Sequence, residues 1–144
     1  MLTRLVDARI PHPLLVSGIV WGLWHVPLIL SGQYAAGPSP ALSAVLFVVA
    51  IVPESYVIGR VRLASGSVWP AVIMHASWNS IVQGPFDRHT VGGDAARAGS
   101  VWIGESGMLV VLASFLVAFF LVRRGVVFRR TPADEPLVMP LRDL

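Results

Sequence analysis

Residues 106–124 read SGMLVVLASFLVAFFLVRR, and this stretch decides the solvent in which the chain folds. From Met108 to Val122 it carries no charge, and its only hydroxyl is Ser114. A helix apolar on every side must be surrounded by other protein or by lipid. Arg123 and Arg124 then stop the run abruptly, as basic residues do at the edge of a bilayer. The reading is a membrane span from about Ser106 to Val122.

Working outward, three more stretches can cross or deeply enter a bilayer, each judged against the roughly 20 apolar residues that a spanning helix needs. They run from about Pro13 to Leu30, from Ala41 to Ile58, and from Ser67 to Gln83, the last being shorter and more polar. Composition agrees: 55% of residues are hydrophobic and 13% charged, against roughly 25% charged in soluble domains. The predicted fold is all-α, a polytopic bundle of about four membrane helices. It forms one domain over residues 1–130, followed by a polar tail, TPADEPLVMPLRDL (131–144), expected to be disordered. Gly32, Gly37, Pro38 and Pro40 punctuate the first loop, because glycine and proline interrupt helical periodicity most strongly. The segment from Gly84 to Glu105 gathers Pro85, Gly92, Gly93 and most mid-chain charges, so it is expected outside the hydrocarbon.

All 11 basic residues are arginine, a bias that points to a GC-rich bacterial genome and hence to a bacterial plasma membrane. The arginines flank apolar runs rather than forming one soluble basic face, which argues against nucleic acid as a partner. With the N-terminus inside, Arg4, Arg9, Arg60, Arg62, Arg123, Arg124, Arg129 and Arg130 lie inside, and Arg88 and Arg97 outside. This asymmetry puts both termini in the cytoplasm. A signal peptide is the competing reading of the first span. Trp21, Trp24, His25 and Pro27 in its second half, and the lack of a small-residue cleavage site, argue against it. Without cysteine there is no disulfide, thiolate nucleophile or Cys-bound metal.

Polar side chains at membrane depth are costly and mark candidate functional sites. Here they are His25 (WGLWHVP), Glu54 (VPESY), and His75 with Asn79 (MHASWNS). His75 and Asn79 are four residues apart, on one helical face. His25 sits on another helix, at a depth that lets it meet them with modest tilt. Imidazoles can exchange a proton with water, bind a metal or donate to an oxyanion, and a carboxamide can donate beside them. The set suits attack of water on a carbonyl, yet lacks a carboxylate base. The plainer reading is that each of the three is an interhelical hydrogen-bonding residue. Trp21, Trp24, Trp69 and Trp78 read as packing or interfacial anchors. Glu54 reads as an interfacial ion pair with Arg60 or Arg62.

WGLWHVP (21–27) and GSVWPAVIMHASWN (66–79) together resemble the CPBP family of intramembrane proteases, which includes the CAAX prenyl endopeptidases and bacterial Abi-type proteins. The resemblance spans Val16 to Ile81. It implies a helical membrane endopeptidase in which His25 takes the water side and His75 with Asn79 the oxyanion side. The family is widely labelled as metalloprotease, which implies a divalent metal such as zinc on His25 and His75 if one takes part. Its Glu-Glu pair has no counterpart before Pro13, where Asp7 is the only acid. The chain is therefore expected to be a C-terminal part of such a protein, inactive by itself, acting on a membrane-associated peptide only when complete. A non-catalytic pseudoprotease that binds a peptide or partner helix is the alternative. A His-lined transporter or haem bundle is a third reading, disfavoured because Asn79 beside His75 fits an oxyanion better.

Overall fold

A computed structural model describes residues 1–35, 37, 39–81 and 100–124. Among these the architecture is all-helical and polytopic, in the order α1 (Leu2–Asp7), α2 (Pro13–Leu30), α3 (Pro40–Ser65), α4 (Trp69–Trp78) and α5 (Met108–Arg123). The tail and the segment 82–99 lie outside the described residues.

The helix boundaries have local causes. Proline occupies the first turn of α2, α3 and α4, where its missing N–H costs nothing and its fixed φ favours the helix. Before α2 the chain reverses through His12 at φ 50, a left-handed backbone that lets short α1 fold back beside α2. Helix α3 runs through Arg60 and Arg62 rather than ending near Ile58, because arginine is a good helix former. Gly66 stops it by taking φ 64.

Helices α2 and α3, with 18 and 26 residues, are long and apolar enough to cross a membrane. Helix α5 is a shorter apolar helix of 16 residues, and α4, with 10 residues, rises only about 15 Å. Of the four expected membrane elements, all are present and two have full spanning length.

Helix α3 is the central mast, packing with α2, α4 and α5. The α2–α3 crossing is close because glycines face it. A Cβ on Gly18 would collide with Ser55 Oγ and lie 3.2 Å from the Val52 backbone, and one on Gly22 would lie 3.3 Å from Val48 Cα. Membrane helices lack a hydrophobic drive toward each other and gain from such small-residue seams. This also makes α2 an integral part of the packed unit. Ile29, Ala44, Phe47 and Ile51 form the buried core, with Trp21, Val26, Tyr34 and Ala35 packed on it. Leu15, Ile19 and Leu23 of α2, and Leu112, Phe115, Leu116 and Phe119 of α5, are exposed. A belt of large apolar side chains around the outside is what a lipid solvent calls for.

Candidate active site

The first side chain of the site is an indole. Trp21 sits on α2 one turn before His25, and its ring meets both imidazoles edge-on, at centroid separations of 6.4 Å from His25 and 5.3 Å from His75 of α4. The two histidines, from helices far apart in sequence, therefore share one neighbour and one cavity. His25 is further held by Phe47 of α3 and by Tyr34, at 5.1 Å and 5.4 Å. These rings fix its position without using its nitrogens.

Its Nδ1 lies 2.9 Å from the Trp21 carbonyl oxygen. A carbonyl only accepts, so Nδ1 carries the proton and donates, and in the neutral ring Nε2 is left as an acceptor. On α4, Asn79 Nδ2 donates to His75 Nε2 at 3.4 Å, as the four-residue spacing predicts. Beyond Trp78 the backbone widens into a π turn over 79–81, a distortion often found at functional sites.

His25, His75, Asn79 and Trp21 line a cavity of about 400 Å³, and two glutamates line it with them. Glu54 does not form the expected interfacial ion pair. Its carboxylate accepts from Ser114 Oγ of α5 at 2.9 Å. The reason is helical phase: Phe47, Ile51 and Glu54 follow one another on a single face of α3, and that face looks into the cavity. Glu105, expected outside the hydrocarbon, is 8% exposed and accepts from Trp78 Nε1 at 3.1 Å. Its neighbour Ser106 donates to the Ala35 carbonyl at 2.7 Å, tying the start of α5 to the loop after α2. The site therefore holds carboxylates that the missing Glu-Glu pair had seemed to deny it. A signal for Glu105 existed in the sequence, an acid three residues ahead of the cleanest apolar run, where membrane depth begins. Trp78 acts as a hydrogen-bond donor inside the cavity and Trp21 as its packing centre. Trp24 and Trp69, 78% and 68% exposed, fit the anchor reading.

A hydrolytic zinc ion requires about three protein ligands. Among the described residues no group of three or more His, Cys, Asp or Glu side chains is arranged to hold a metal, so this donor set does not fit one.

Apolar helices around a cavity lined by two imidazoles, a carboxamide and two carboxylates are the features of a membrane protein with ionisable groups held between its helices. The chain belongs to the type II CAAX prenyl endopeptidase Rce1-like family, whose model matches residues 1–81, from α1 through the π turn. At the level of that family it is a CAAX-type intramembrane protease, a membrane hydrolase acting on peptide. Comparison with curated proteins and with solved structures gave no match.

Proposed function

We propose that the protein hydrolyses a peptide bond of a membrane-associated substrate with activated water. The observation that carries this reading is the shared packing of His25 and His75 on Trp21, with Asn79 bonded to His75 at the wall of the same cavity. His25, with Nε2 as acceptor, orients the attacking water. His75 and Asn79 line the same cavity, and in this reading their remaining N–H groups serve the oxyanion of the tetrahedral intermediate. On this reading the protein is a multi-pass protein of a bacterial plasma membrane with both termini cytoplasmic, as the arginine distribution supports.

The test is cleavage of a quenched fluorescent single-span peptide by the protein in lipid vesicles. Turnover lost in His25→Ala and His75→Ala, with folding intact, supports the reading. Turnover equal to wild type in both variants removes it. A second reading is a non-catalytic binder of a peptide or partner helix, to which the largely apolar lining of the same cavity gives a surface. Peptide binding without turnover in the same vesicles would select that one.

A further inference from the structure

The arginine-rich end of the bundle holds a second cavity, of about 320 Å³, that the hydrolytic reading leaves unused. That volume falls in the range of about 300–1,000 Å³ typical of small-ligand sites. Helical phase builds it. Ser55, Ile58, Gly59 and Arg62 recur at steps of three and four residues or less, so one face of α3 lines it, and Ser17 with Trp21 does the same on α2. Thr3 of α1 and Ala71 of α4 also line it. Arg60, two residues from Arg62, is turned about 200° away around α3 and does not line it.

The lining chemistry selects one sign of charge. Arg62 is partly buried and brings a planar guanidinium fork, which matches phosphate oxygens two at a time. The hydroxyls of Thr3 and Ser17 bond to no other described residue and can donate to the same kind of group. Ser55 Oγ donates to the Val52 carbonyl, so it offers only lone pairs. Among the described residues no carboxylate lines the cavity. An anion therefore meets no like charge there, and the choline cation of a zwitterionic headgroup meets no partner. Depth favours a lipid over a solute. Arg62 stands at the end of α3 where arginines gather, and Ser55 lies seven residues, roughly 10 Å, deeper. Ile58 and Trp21 add apolar surface along that path, suited to the part of a lipid just below its headgroup. Basic pockets between membrane helices on the positive side are where anionic headgroups dock.

We propose that this cavity takes the phosphate of an anionic phospholipid, held by Arg62 with Thr3 and Ser17. The site goes beyond the peptidase reading and does not depend on it. Trp21 lines this cavity as well as the one with the histidines, so the two share a side chain that bears on both imidazoles.

The test is native mass spectrometry of the protein in dodecyl maltoside micelles titrated with dioleoyl phosphatidylglycerol or dioleoyl phosphatidylcholine. One phosphatidylglycerol is expected to stay bound at a concentration where phosphatidylcholine does not. Arg62→Gln should weaken that retention about 10-fold or more, the scale of a lost charge-assisted hydrogen bond, while Arg60→Gln, with the same loss of charge, leaves it within about twofold. Ser17→Val, which removes a hydroxyl and keeps every arginine, should weaken it too and supplies a second arm if Arg62→Gln does not fold, as detergent melting reports. Equal weakening in Arg60→Gln and Arg62→Gln would mean attraction to surface charge in general and overturns the proposal. Equal retention of the two lipids overturns it as well. If glycerol 3-phosphate at the same concentration displaces phosphatidylglycerol, the cavity is a site for soluble phosphate esters and the lipid assignment is wrong.

Discussion

Residues 1–81 and residues 100–124 build the same cavity by different means. The first region carries both motif-bearing helices, matches the family model and packs by glycine, with α2 pressed on α3 at Gly18 and Gly22. The second lies outside the matched residues, and its described part reaches the first through side-chain hydrogen bonds: Trp78 to Glu105, Ser106 to Ala35, Ser114 to Glu54. A motif therefore marks the groups whose spacing within one helix matters. Groups that enter from a loop or a neighbouring span answer to three-dimensional position, and leave no periodic trace.

The largest effect expected from breaking this division lies in the first region. His75→Ala or Asn79→Ala removes an oxyanion donor and should lower turnover by about 100- to 1,000-fold, read as kcat on the quenched peptide. Equal losses would show the pair acting as a unit. Next comes the seam. Gly18→Leu forces α2 off α3 where Ser55 and Val52 lie, and overpacking of this kind costs about 1–3 kcal/mol, measured by denaturant titration in mixed micelles. Unchanged stability would show that close approach is not what holds α2.

The second region should yield less per residue. Ser114→Ala deletes one interhelical hydrogen bond, and such bonds average about 0.6 kcal/mol in double-mutant cycles on membrane proteins. A cycle with Glu54→Gln isolates that coupling, and a value near zero would detach α5 from the energetics of the cavity. The smallest effect belongs to Trp24, 78% exposed on α2. Trp24→Leu should leave turnover unchanged and stability within about 0.5 kcal/mol, whereas Trp21→Leu should impair turnover although it too removes only an indole.

Much of the fold was legible. Helix α2 begins and ends where the sequence reading put it, at Pro13 and Leu30, because proline opens it and the Ser31–Gly32 turn closes it. The apolar stretch Ala41–Ile58 marks the part of α3 suited to lipid but not the helix end, since Arg60 and Arg62 continue the helix up to Gly66. The fixed four-residue spacing of His75 and Asn79 made their contact readable, and parallel depths made the approach of His25 readable. Glu54 was misread because its nearness in sequence to two arginines outweighed its phase with Phe47 and Ile51. Glu105 was missed because a loop has no period from which to infer an inward direction. Small α1 also went unread, six residues being too few to show a repeat.

Trp21 packs edge-on against the imidazole of α2 and against that of α4, so a single indole bears on both histidines. A residue with no acid–base chemistry thus couples the positions of the two rings. Substrates that push the indole aside disturb both walls at once, so tolerance for bulky residues next to the scissile bond should fall off as a step rather than a slope.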